Sequence, residues 1–255
     1  MGAMEAFALL LAASFLGAAV QAATGFGFAL LAAPIYLTAM GSSTAMQVLV
    51  AVHLVQSAML VPGLWRQAPR RLLVLLCAGG IFGFPVGLAV FLSLDLKTLT
   101  LVVGITMLAF SALLAARELR WLRFGPPDGS EARASGPAII GAGGIAGLLT
   151  AVLVTPGPPV IILNGWLRLS KDQSRALSLT FFAFCYVAVA AMHTIWGGMT
   201  LASWKLAAML SPLVIVGTLA GDAFAKRLSE AKFRLFVLAI AGLSGCYALL
   251  SGLLG

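Results

Sequence analysis

Two short stretches are the places in this chain where chemistry can be sought: residues 24–28, read TGFGF, and residues 155–159, read TPGPP. Gly25 and Gly27 permit a tight turn and a close approach of backbone to a ligand. Thr155 followed by Pro156 reads as a helix start, because Thr can cap free amides and Pro loses no hydrogen bond at the first helical position. A helix that begins at each stretch presents unpaired N–H groups and a partial positive charge, which favours an anionic ligand. The candidate binding residues are therefore Thr24, Gly25, Phe26, Gly27, Phe28, Thr155, Pro156 and Gly157. The competing reading, two helix kinks packed in a protein core, is weakened by the repetition of the pattern in both halves of the chain.

Other polar groups within apolar stretches extend the candidate set. Asn164, with Gln21, Gln47 and Gln56, needs hydrogen-bond partners inside a membrane, so each either joins helices or lines a pathway. Arg175 stands just inside a segment start, where it either binds or steers an anion or sets topology. His53 falls near mid-segment and is a candidate proton site, against the commoner case of a neutral histidine bonded between helices. Asp222 stands four residues before Lys226, the spacing of an ion pair on a helix surface. HExxH, GxSxG and GxxxxGK[ST] are all absent, and two distant histidines make no metal centre. The chain is read as non-catalytic, with no cofactor and no metal, and the missing phosphate loop argues against a self-contained ATP-driven machine.

The elements that position these residues follow from composition. Of the 255 residues 61% are hydrophobic and only 9% charged, with a mean hydropathy of +1.06, whereas about a quarter of the residues of a soluble domain are charged. Runs such as residues 4–20 are apolar on every side, which suits membrane helices and not the alternating strands of a β-barrel. The net charge of +8 lies in short patches at segment ends, so it reads as membrane topology and not as a nucleic-acid surface. Cys77, Cys185 and Cys246 are odd in number and lie inside apolar segments, which argues against a disulfide framework. Glu5 and the lack of any Lys or Arg ahead of the first apolar run argue against a cleaved signal peptide.

Ten apolar segments are predicted, at about residues 4–23, 26–40, 43–65, 70–92, 97–117, 136–154, 156–168, 173–196, 201–225 and 232–254. The second and seventh are shorter than the roughly 20 residues a spanning helix needs. They either cross fully or dip in as re-entrant hairpins. If the chain changes side at each segment, 14 of the 16 basic residues fall in one set of connections, and the other set holds Lys97 and Lys205. The positive-inside rule then places the basic loops in the cytoplasm and both termini outside.

The connection over residues 119–135 contains Gly125, Pro126, Pro127, Asp128 and Gly129 and divides the segments five and five. The predicted organisation is a first membrane repeat at 1–120, a cytoplasmic linker at 121–135 and a second repeat at 136–255. A shift of 131 residues lays Thr24 on Thr155, Thr44 on Arg175 and Trp65 on Trp196; a further three-residue slip lays Gly83 and Gly87 on Gly217 and Gly221. An odd number of crossings per repeat inverts the second half, so the expected fold is all-α and polytopic, with two inverted-topology repeats that each contain a broken or re-entrant helical hairpin. Non-helical backbone at membrane depth survives where it lines a cavity, and paired breaks point to a binding site. Gly79, Gly83 and Gly87, with Gly217 and Gly221, recur every four residues and are read as close helix-packing positions, internal or in a homo-oligomer.

The glycine-rich break GFGFALLAAP at residues 25–34, the proline-rich TPGPPVIILNG at 155–165, and Arg175-Ala176 opening a segment after a short basic loop together resemble the TauE/SafE family of sulfite and organosulfonate exporters. The similarity runs from about Phe7 to the C-terminus. The resemblance implies bacterial inner-membrane transport of sulfite, sulfoacetate or related sulfonates. The second break departs from the pattern, since its prolines offer no N–H to an anion. The expected function is secondary export of a small anion by alternating access, with the lipid bilayer and the anion as partners. An anion channel with re-entrant half-helices and a non-transporting membrane assembly partner are the alternatives.

Overall fold

The computed structural model describes residues 2–118 and 134–225, together with Gly242, Cys246, Leu249 and Leu250. Most of the predicted linker, and all but those four positions of the tenth segment, lie outside the described residues. The described chain is helical: α1 (Ala3–Thr24), α2 (Phe28–Met40), α3 (Thr44–Leu60), α4 (Arg70–Ser93), α5 (Leu96–Glu118), α6 (Gly136–Leu153), α7 (Gly157–Trp166), α8 (Lys171–Ile195) and α9 (Leu201–Ala225). Seven of these helices are long and apolar enough to cross a membrane. The exceptions are α2 and α7, with 13 and 10 residues. At 1.5 Å per residue neither spans the roughly 30 Å hydrocarbon core alone.

Local chemistry sets the ends of these helices. Ser135 accepts from the Ala138 amide at the start of α6, Ser170 and Gln173 form a reciprocal capping box on α8, and Asp95 accepts from the Thr98 amide at the start of α5. The Thr98 bond holds the Asp95 carboxyl below its ordinary range. The third predicted segment stops short, because Pro62 lies in a 3-10 turn at Val61–Gly63 and a second turn follows at Trp65–Gln67. Gly41, at φ 56°, ends α2 in the left-handed conformation and returns its N–H to Leu37.

Packing pairs helices across the two halves. The first helix lies along α9, and α4 lies along α6; α3 touches α9, and α4 touches α8; α2 folds against α1 and α3, and α7 against α6 and α8. Exchanging α1, α2, α3 and α4 for α6, α7, α8 and α9 maps each of these contacts onto another in the set. The helices α3 and α8 contact each other and so map onto themselves. A Ser14–Tyr36 hydroxyl contact of 2.6 Å fastens α2 back along α1.

The four-residue glycine spacing has the packing role expected of it. A Cβ on Gly79 would strike the Ile140 carbonyl oxygen, and one on Gly83 that of Gly144; α6 answers with Gly143, whose Cβ would strike Leu76. On the other side of the bundle Gly217 and Gly221 meet the carbonyl oxygens of Phe15 and Ala19 in the same way. Backbone therefore meets backbone at both crossings, a contact that any side chain prevents. Cys185 is buried, Cys77 half-buried and Cys246 exposed, and all three are free thiols.

Candidate functional site

The first interruption is held open by glycine. Gly25 (φ 86°) ends α1 and Gly27 (φ 107°, ψ −5°) begins α2, both in the left-handed region that a side chain resists. Thr24 organises the turn: its hydroxyl oxygen accepts from the Phe26 amide at 3.2 Å and lies 2.8 Å from the Val20 carbonyl oxygen, to which it can donate.

The second interruption reaches a similar shape with different residues. Val154, at φ 57°, ends α6, and Pro156 stands at the cap position of α7, which starts at Gly157. A β-branched residue in the left-handed region is a backbone outlier of the kind found at functional sites. Two readings from sequence need correction. Pro156 is not the first helical residue, and Thr155 caps nothing, because its hydroxyl donates to the Leu153 carbonyl at 2.9 Å within the break itself. The register also differs, since matching cap to cap pairs Gly25 with Val154 and Gly27 with Pro156, two residues away from the match that pairs the threonines.

The two breaks meet. They share a pocket, lined by Phe26, Gly27, Ala29 and Leu30 from the first break and by Val154, Thr155, Pro156 and Gly157 from the second. The lining is completed by Gln21 of α1, Phe110 of α5, and Phe182 and Tyr186 of α8. The Phe26 and Phe110 rings pack edge to face at 6.1 Å. Among the described residues no charged side chain is in the lining, so the polar character comes from Gln21, the Thr155 segment, the Tyr186 hydroxyl and the helix starts.

Those two starts are unequal. The first four N–H groups of a helix have no partner within it, and in α2 these belong to Gly27, Phe28, Ala29 and Leu30; the first intrahelical return is Leu31 to Gly27. In α7 the corresponding residues are Pro156, Gly157, Pro158 and Pro159, so Gly157 alone carries an N–H. Backbone donors therefore come mainly from the first half, and the second half contributes shape.

The remaining predicted residues are not in this lining. Phe28, fully buried, packs at 4.3 Å on His53, which also meets Tyr186 at 4.4 Å. Nδ1 of His53 is 2.7 Å from the Leu49 carbonyl oxygen, and its buried Nε2 has no partner among the described residues. The Asn164 amide nitrogen lies 2.9 Å from both the Ser174 and Ser178 hydroxyls, which joins α7 to α8. Nη2 of Arg175 donates to the Ala22 carbonyl at 2.7 Å and to Asp222 at 3.0 Å. Asp222 thus pairs across to α8; Lys226, its expected partner at helical spacing, lies outside the described residues. Gln56 donates to the Ala18 carbonyl at 2.8 Å and joins α3 to α1, and Gln47 donates to the Gly197 carbonyl at 2.7 Å and joins α3 to the turn after α8.

Tyr186, Phe182 and Phe110 escaped the sequence reading, because an aromatic residue in an apolar helix gives no sign of whether it faces lipid, core or pocket. A weak signal existed for Tyr186, whose hydroxyl must find a partner when buried.

Helices of spanning length surrounding two interrupted hairpins that meet at one pocket define a polytopic α-helical membrane protein with a small-molecule site. The family model "Sulfite exporter TauE/SafE" matches residues 10–248, and the chain belongs to that family. Its coarse functional class is accordingly a multi-pass membrane transporter. No curated protein and no solved structure matches the chain.

Proposed function

We propose that the protein is a secondary transporter that exports a small organic or sulfur-containing anion, such as sulfite, sulfoacetate or a related sulfonate, across the bacterial inner membrane by alternating access. The observation that carries this reading is the convergence of both interruptions on one pocket into which the α2 amides bring positive potential without a fixed charge. The exchange of packing partners between the halves supports two inverted repeats rocking about the paired hairpins. Labelled-for-unlabelled exchange with trans-stimulation separates this reading from an anion channel.

The deciding experiment is thermal stabilisation of the purified protein in detergent across sulfite, sulfoacetate, taurine, simple carboxylates and phosphate. A ligand at a hundred times its Kd raises stability by about 2.7 kcal/mol through mass action. A shift selective for sulfur oxyanions is expected. No shift with any of these anions at millimolar concentration removes the anion site.

Proton coupling through His53 is the second part of the proposal, motivated by its buried and unpartnered Nε2 beside the pocket residue Tyr186. His53→Gln is expected to flatten the pH dependence of transport between about pH 5 and 8, the range in which histidine exchanges its proton. A pH profile identical to that of the parent protein ends this role. In the proposed orientation both termini are periplasmic and the linker cytoplasmic. A cysteine placed at Gly129 is therefore expected to react with an impermeant reagent from the cytoplasmic side, and labelling in intact cells reverses the orientation.

A further inference from the structure

We propose that Arg175 and Asp222 form a latch that holds the first interruption in its pocket-lining shape and covers its approach, so that opening on this side requires the guanidinium to let go. The inference rests on the pocket being the transport site.

The contacts of Arg175 explain why it holds the break. The Ala22 carbonyl lies in the last turn of α1, and the amide that would bond it in a continued helix, that of Phe26, donates to the Thr24 hydroxyl oxygen. Nη2 of Arg175 takes that orphan carbonyl at 2.7 Å, at the negative end of the α1 dipole. The arginine stem covers the next residue of the break as well, since a Cβ on Gly25 would lie 3.4 Å from Arg175 Cγ. Gly25 is buried there, and the two residues after it, Phe26 and Gly27, line the pocket.

Asp222 supplies the other end. It lies on α9, one position from Gly221, whose backbone rests on α1 at Ala19. The pair therefore joins the C-terminal end of α1 to α8 and α9, across the two halves of the chain. Arg175 is 22% and Asp222 42% exposed. A pair this exposed adds little to stability and weakens with salt, which suits a contact broken in every transport cycle. Nε of Arg175 is buried and has no hydrogen-bond partner among the described residues, so an arriving oxyanion finds a donor as it displaces Asp222. Arg175 is thus a positioning residue for the first break, with Asp222 as its counter-charge.

The test is the rate at which a maleimide reaches a cysteine at Ala22, a side chain buried beneath this latch, in the full chain in detergent with Cys77, Cys185 and Cys246 replaced. Ala23→Cys, half-buried in the same turn, is the second reporter. Asp222→Asn is expected to raise the labelling rate about tenfold, within the usual range of coupling between two sites. Asp222→Glu, which keeps the charge, is expected to restore slow labelling, and added salt to speed the parent protein but not Asp222→Asn. Unchanged labelling in Asp222→Asn, or equal acceleration by Asn and Glu, overturns the latch. Because labelling needs no substrate, a failed latch and a failed anion site give separate results.

Discussion

Gly83→Ala is expected to lower the stability of the protein in detergent by an amount at the upper end of the roughly 1–3 kcal/mol typical of overpacking. The added methyl would strike the Gly144 carbonyl oxygen and crowd the Leu148 amide, and neither is a side chain that can change rotamer. The helices α4 and α6 must then separate along their whole crossing, which forfeits the contacts of Gly79, Gly143 and Gly147 as well. Gly217→Ala is expected to act likewise at the crossing of α9 with α1. The two losses should be close to additive, because the crossings share no helix. Gly141→Ala is the control: it lies on α6 with nothing within 4 Å of its Cβ, so the better helix propensity of Ala should give a gain on the order of 1 kcal/mol or less. Thermal midpoints of the three variants check this. Equal behaviour of Gly83→Ala and Gly141→Ala would show that close backbone approach does not hold the bundle.

Those glycines were legible in the sequence because one period, four residues, maps onto one face of a helix. The match of Gly83 and Gly87 to Gly217 and Gly221 was likewise visible, and in the structure these residues make the corresponding contacts, α4 on α6 and α9 on α1. The breaks were legible too, since Gly-Phe-Gly and Pro-Gly-Pro-Pro cannot continue a helix, and the second break was seen to be poor in N–H groups from its prolines alone. Their register was not, because threonine identity drew Thr24 onto Thr155 while the caps match two residues away. Side-chain identity says little about which residue turns left-handed when one break uses Gly25 and the other Val154. Partner choice was the other gap. Arg175 reaches Asp222 from 47 residues away, and a contact across helices leaves no trace in local spacing. The same holds for Asn164, whose amide nitrogen is taken up by two serines of the next helix.

Gly27→Ala is expected to abolish most of the anion-dependent stabilisation, weakening apparent affinity by at least about tenfold, or 1.4 kcal/mol. At φ 107° and ψ −5° the residue occupies backbone space that costs a side chain about 1–3 kcal/mol. The cheapest relief is to rotate the peptide, which moves the free amides at the start of α2 that the proposed anion site uses. Binding then fails through lost donor geometry while the helices themselves remain. Gly157→Ala tests the other wall, where a Cβ would meet Ile161, Phe182 and Phe26 at 3.7–3.9 Å, ordinary contact distances. Because α7 offers one N–H where α2 offers four, that change should cost much less affinity and act by narrowing the pocket. Thr155→Ala should also have a small effect, since its hydroxyl is spent on Leu153. Anion titrations of the thermal midpoint rank the three variants. Should Gly157→Ala prove the more damaging, the anion would rest on the proline-bearing wall, and the assignment of its donors to α2 would be overturned.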